Sequence, residues 1–171
     1  MSGGVAVIPT DTVYGLAAHP DFPEAVSRLY TIKQRNEAKP IALLAADGAA
    51  AERFLGGMSA RAKALAAQYW PGALTMVLPV VDAERFEGVR VPDHDWTRRL
   101  LAKCGGVLRV TSANMSGERP ATDATAALAE VGLSADLVVD DGVSKGGAAS
   151  TVIKITDEIF EVLRKGPIAI F

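Results

Sequence analysis

The sequence predicts an α/β fold with some α+β character, a twisted mixed β-sheet with helices packed on it. Short apolar runs alternate with longer segments of helical spacing, and Gly, Pro and Asp clusters separate the two. Near the C-terminus two apolar runs follow one another directly, which a strict βαβ repeat does not do. The 171 residues suit a single domain over 1–171, and 49% apolar with 22% charged residues is a globular balance.

Val5 to Pro9 is a buried strand that Pro9 ends. Glu24 to Gln34 is a helix: Pro23 suits its first turn, and Val26, Leu29, Tyr30 and the stem of Lys33 share one face. Ile41 to Ala45 is a second buried strand. Ala49 to Leu55 and Ser59 to Tyr69 are helices parted by Gly56-Gly57, with Ser59 as N-cap. After the Trp70-Pro71-Gly72 turn, Leu74 to Val81 and Gly88 to Val91 read as strands and Trp96 to Cys104 as a helix. Val107 to Val110 is a strand, and Thr122 to Val131 a helix ending on a left-handed Gly132. Leu137 to Val139, Thr151 to Ile155 and Ile159 to Leu163 are late strands, the last two forming a hairpin around Asp157.

The 18 basic and 20 acidic residues leave a net charge of -2, so nucleic-acid contact needs a local basic patch. Cys104 is the single cysteine, which excludes an internal disulfide and a two-cysteine metal motif. No apolar run reaches the roughly 20 residues of a membrane-spanning helix. The start, Met1-Ser2-Gly3-Gly4, lacks the regions of a signal peptide, so a cytoplasmic location is expected.

The sequence carries no G-x-x-x-x-G-K-[ST] phosphate loop, no G-x-G-x-x-G fingerprint and no G-x-S-x-G elbow beside His19 and His94. Cys104 reads as a small buried hydrophobe. The chemistry-bearing residues sit instead at strand and helix ends, where ligands gather in α/β sheets. Pro9-Thr10-Asp11-Thr12-Val13-Tyr14-Gly15 offers hydroxyls, a carboxylate and a phenol after a strand, or simply a turn in which Thr10 and Asp11 bond nearby backbone. Lys33-Gln34-Arg35 with Lys39-Pro40 either answers a helix dipole or grips an anion. Ser112 and Asn114 share a face if their strand continues, or belong to a capping and turn cluster. Gly146 to Thr151 is a flexible entry to a strand, and Arg164 precedes Gly166-Pro167.

Taken in order, these segments resemble the Sua5/YciO/YrdC family, whose enzymes are threonylcarbamoyl-AMP synthases. The landmarks are Pro9 to Leu16, Lys33-Gln34-Arg35 with Lys39-Pro40, Trp70-Pro71-Gly72 leading to Leu74-Thr75, and Val89-Arg90-Val91-Pro92-Asp93-His94. Ser112 to Gly117, Asp141-Gly142, Ser150-Thr151-Val152 and Leu163-Arg164 complete the series. The resemblance implies a YrdC-like fold with an open cationic groove, in the short branch without an extra C-terminal domain. The implied reaction joins L-threonine, bicarbonate and ATP into threonylcarbamoyl-adenylate and pyrophosphate, for threonylcarbamoyl modification of a tRNA adenosine.

By resemblance, Thr12, Arg90 and Ser150 bind threonine, while Arg35, Lys39, Ser112, Asn114 and Arg164 hold ATP. Lys33 and Arg35 are the implied catalytic cations, stabilising charge as the carbamate attacks the α-phosphate. Mg²⁺ is implied with ATP, held mostly by phosphate oxygens and water, with no metal site on the protein itself. The implied downstream partner is a tRNA-modifying threonylcarbamoyl-transferase complex, with no membrane role. Leu44 stands where many members carry a His near threonine, Phe86 where many carry a Thr, Asn36 after the basic motif and Ala149 before Ser150 where Pro is common. The alternative function is a non-catalytic module binding tRNA or double-stranded RNA, with Arg28, Lys33, Arg35, Lys39, Arg85, Arg90, Arg98, Arg99 and Lys103 as its basic patch. A carbamoyl-adenylate enzyme of the hydrogenase-maturation type lacks support, because the zinc-binding cysteines of that class are absent.

Overall fold

The computed structural model describes residues 3–170; Met1, Ser2 and Phe171 lie outside it. In chain order the elements are β1 (Val5–Ile8), β2 (Gly15–Ala18), α1 (Pro23–Lys33), β3 (Leu43–Ala45), α2 (Gly48–Leu55), α3 (Ala60–Tyr69), β4 (Leu74–Pro79) and β5 (Phe86–Arg90). They continue with α4 (Asp95–Lys103), β6 (Val107–Ser112), α5 (Ala124–Glu130), a 3₁₀ turn (Gly132–Ser134), β7 (Leu137–Val138), β8 (Thr151–Ile155) and β9 (Phe160–Arg164). Two compact units divide the chain, one from residues 3–41 and 108–149, the other from 42–107 and 150–170.

In the first unit β7 runs parallel to β1, β1 antiparallel to β2, and β2 antiparallel to β6. The β1–β2 register, Val5 opposite Ala18 and Ile8 opposite Gly15, leaves the six-residue stretch 9–14 as its connection. Val5, Val7, Leu16 and Ala18 lie on the face that joins Ala25 and Leu29 of α1 and Ala124 and Ala127 of α5 in one core cluster. Helix α1 begins with Pro23 and Glu24 in its first turn and ends on a left-handed Gln34. Its inward residues are Ala25, Leu29 and Lys33, so the apolar stripe continues into a buried lysine. An Arg28–Asp136 ion pair at 2.8 Å, with Asp136 also accepting from Val5 N–H, ties α1 to the entry of β1.

In the second unit β3 runs parallel to β5, β5 antiparallel to β4, β4 parallel to β8, and β8 antiparallel to β9. Leu74, Met76, Leu78, Val89, Ile153 and Ile155 are buried. Asp47 caps α2 at Ala50 N–H and Ser59 caps α3 at Ala62 N–H, the local reason for both starts.

Both units thus hold a mixed sheet with helices, as the sequence predicts. Three expectations are corrected. β2 was not anticipated, because Gly15-Leu16-Ala17-Ala18 has weak strand preference and owes its form to pairing on both sides. Helix α5 spans Ala124–Glu130, not Thr122 to Val131, because Asp123 caps it at Ala126 N–H; Gly132 is not left-handed and instead opens the 3₁₀ turn. β6 ends at Ser112, so Asn114 belongs to the following turn and is not a strand residue sharing a pleat with Ser112.

Candidate active site

Lys33 is the most unusual residue of the first unit. Only 1% of it is exposed, although it closes a helix among other cations. Its ammonium donates to the carbonyl oxygens of Ser112 and Asn114 and to Asn114 Oδ1 at 3.2 Å. Three donors meet three acceptors, the arrangement that satisfies a buried ammonium. Burial and the nearby Arg35 charge pull its pKa down to about 8, against a smaller opposing pull from Glu130. The reading of all three cations as a solvated answer to the helix dipole therefore does not apply to Lys33. Asn114 is also fixed from its amide, which donates to the carbonyls of Met115 and Glu118. Ser116 N–H donates to Lys33 O, so helix end and turn hold each other at several points.

Arg35 is half-buried and donates to Lys39 O at 3.0 Å and Pro40 O at 3.3 Å, closing the loop after α1; Lys39 itself is exposed. The structure thus brings Lys33, Ser112 and Asn114 into contact, and Arg35 with the Lys39 backbone. Ser112 lies opposite Gly15, and a Cβ on Gly15 would stand 2.5 Å from Val110 Cγ1.

Thr12 sits in the 9–14 connection, buried, with its hydroxyl 3.0 Å from that of Thr10. Thr10 Oγ1 donates to Val13 O and accepts from Thr12 and Val13 N–H, so this is a true hydroxyl-stapled turn. Tyr14, fully buried, donates from its hydroxyl to Gly142 O at 2.7 Å and accepts from Asp141 N–H at 3.0 Å. Gly146 N–H reaches Asp11 O at 2.8 Å, and any Cβ on Gly146 would meet that oxygen at 2.6 Å. Thr12 is thereby framed by its own turn and by the 141–146 segment.

The second unit holds Arg90, Ser150 and Arg164. Arg90 is buried at the end of β5 and donates to Gly72 O of the Trp70-Pro71-Gly72 turn at 3.3 Å. Arg164, at the end of β9, donates from Nε to Ser150 O at 3.0 Å and from Nη2 to Ser150 Oγ at 3.1 Å. Thr75 Oγ1 lies 2.8 Å from Ser150 Oγ. In the sequence Thr75 stands out only through the Leu74-Thr75 pair that follows the Trp70-Pro71-Gly72 turn. Leu44 is buried in β3. His19 and His94 each hold local backbone: His19 Nδ1 accepts from Asp21 N–H, and His94 caps α4 at Thr97 N–H. Cys104 is half-buried at the end of α4, and burial raises its thiol pKa. Among the described residues no three His, Cys, Asp or Glu side chains gather where they could hold a metal ion. No helix among them is long and apolar enough to cross a membrane.

A family model named for Sua5, YciO and YrdC, and described as telomere recombination, matches residues 1–166. The chain belongs to this family. It is 33% identical over 173 residues to the threonylcarbamoyl-AMP synthase of Bacillus subtilis, covering 96% of this chain and 50% of that protein. It is also 33% identical to the putative threonylcarbamoyl-AMP synthase of Mycobacterium tuberculosis, covering 98% of this chain and 81% of the other. Among solved structures, the Pyrococcus abyssi Sua5 complex with L-threonine superposes with a TM-score of 0.88 at 30% identity, over 96% of this chain and 51% of that one. The chain thus spans about half the length of the Bacillus and Pyrococcus family members, and the family match runs through both units.

Proposed function

We propose that this protein is an L-threonylcarbamoyladenylate synthase, a reading supported by its Bacillus relative, which is named threonylcarbamoyl-AMP synthase. The observation that supports this most is the buried ammonium of Lys33 tied to Ser112 and Asn114. It joins the two motifs that the family resemblance assigns to the nucleotide. A phosphoryl-centred reaction asks mainly for fixed positive charge and positioned donors, and a charge pinned by three acceptors needs no reorganisation during the step.

In the proposed reaction the threonine amine attacks the carbon of bicarbonate, a C–N bond forms and water leaves. An oxygen of the resulting carbamate then attacks the α-phosphorus, and the bond to the departing pyrophosphate breaks. Lys33 and Arg35 stabilise the charge that develops there. Arg35, Lys39, Ser112, Asn114 and Arg164 hold the nucleotide, which enters as its magnesium complex with the metal on phosphate oxygens and water. Thr12, Arg90 and Ser150 hold threonine, with the Arg90 guanidinium suited to its carboxylate. Free carbamates decompose in water, so gathering the reactants away from solvent is part of the catalysis. The product serves a tRNA-modifying transferase, in the cytoplasm.

Pyrophosphate release from MgATP is expected only when L-threonine and bicarbonate are both present. Arg35→Ala is expected to lower turnover by about 100-fold or more, the usual loss when a transition-state charge partner is removed. Release that ignores threonine would overturn the substrate assignment. The RNA-binding alternative has less support. Of its basic residues, Lys33 and Arg90 are buried, and Arg28, Arg85 and Arg98 are paired with acidic side chains. Steeply salt-dependent RNA binding without pyrophosphate release would favour it instead.

A further inference from the structure

We propose that Thr75 is a positioning residue for amino-acid binding, acting by fixing the hydroxyl of Ser150 as a hydrogen-bond donor toward the bound substrate. This rests on the amino-acid role of Ser150 proposed above. Thr75 and Ser150 are each 7% exposed, and their hydroxyl oxygens are 2.8 Å apart. Among the described residues Thr75 Oγ1 has no hydrogen-bond partner besides Ser150 Oγ. Either hydroxyl can donate across this pair; in the proposed arrangement Thr75 donates and Ser150 accepts, which leaves the Ser150 proton for the ligand. Arg164 Nη2 also reaches Ser150 Oγ, at 3.1 Å, and a guanidinium can only donate.

Both lone pairs of Ser150 Oγ are then filled, and its own proton is the part left to bond. A hydroxyl so constrained offers a donor and no acceptor. It selects an oxygen acceptor on the ligand, such as a carboxylate or carbonyl, over an ammonium or amide N–H. Strand register makes the arrangement rigid. Thr75 lies opposite Val152 in the parallel β4–β8 pair, two residues beyond Ser150, and Val152 lies opposite Arg164 in β8–β9. Backbone pairing therefore fixes the spacing of all three side chains, and the Arg164 Nε bond to Ser150 O holds the guanidinium beside it.

The test is steady-state pyrophosphate release by wild type, Thr75→Val and Thr75→Ser, with threonine and ATP varied separately. Valine keeps the shape and removes the hydroxyl; serine keeps the hydroxyl. Thr75→Val is expected to raise KM for threonine about 10-fold, the worth of one such hydrogen bond, with kcat and KM for ATP within about 2-fold. Thr75→Ser is expected to stay near wild type. Thr75→Ala serves as a second hydroxyl deletion if the valine variant fails to fold by circular dichroism. An unchanged threonine KM in the deletion variants, equal losses in valine and serine variants, or a parallel rise in ATP KM would each overturn the proposal. A wild type that does not saturate with threonine would overturn the functional reading as well, which separates the two failures.

Discussion

Lys33 shows how little the neighbours of a side chain in the chain say about the partners of its charged end. In the string Lys33-Gln34-Arg35 it looks like a surface cation, yet the fold buries it against two carbonyls and an amide oxygen. Helical spacing puts the stem of Lys33 on α1's inward face, but it says nothing of the acceptors, which come from residues 112–114, far away in sequence. A consequence for pH follows. The ammonium is needed as a charge, and its pKa is lowered to about 8 from 10.5, so turnover should fall as pH rises through about 8. An activity profile flat to pH 10 would remove Lys33 from the charge-stabilising role. Stability runs the opposite way. Between about 8 and 10.5 the unfolded chain holds a proton that the folded chain has released, so this group makes stability rise with pH across that window. Urea unfolding of wild type and Lys33→Met at both ends of the window should show that rise in wild type only. Tyr14 offers a second check. Tyr14→Phe removes both bonds to Asp141 and Gly142 and leaves two backbone groups to find other partners, at a cost of about 1–3 kcal/mol. An unchanged urea midpoint would mean that water replaces the phenol at no loss.

The strands and helices were legible wherever local chemistry decides. Ser59 caps its helix as expected, and Thr151–Ile155 with Phe160–Arg164 form the expected hairpin. β2 was hidden because small residues carry no strand signature; its form comes from neighbours on both edges. The same pairing makes Gly15 sensitive. Gly15→Ala drives a methyl to 2.5 Å from Val110 Cγ1, an overpacking cost of about 1–3 kcal/mol. Val110→Ala in the same chain should recover most of that loss, beyond what adding the two single effects allows. Simple additivity in thermal unfolding would show that the clash is relieved elsewhere. At the end of α5 the sequence suggested a glycine cap, but the Asp123 cap and the early turn at Gly132 shifted the helix.

For the molecule as a whole, the mixed-sheet class was readable from alternation and from the late paired strands, while the division into two units was not. Each unit is discontinuous in sequence, built from residues 3–41 with 108–149 and from 42–107 with 150–170, so no composition change or linker marks the boundary. The candidate site was legible as motifs but not as contacts. Order along the chain pointed to Lys33, Ser112 and Asn114, whereas the lysine bonds and the Thr75–Ser150–Arg164 chain needed strand register to appear. Function is tested by the identity of the product. Incubation with L-threonine, MgATP and ¹³C-bicarbonate, read by mass spectrometry, should yield a threonylcarbamoyl-adenylate whose mass carries the labelled carbon. ATP turnover that leaves no labelled adenylate, with the protein folded and all three substrates present, would contradict it.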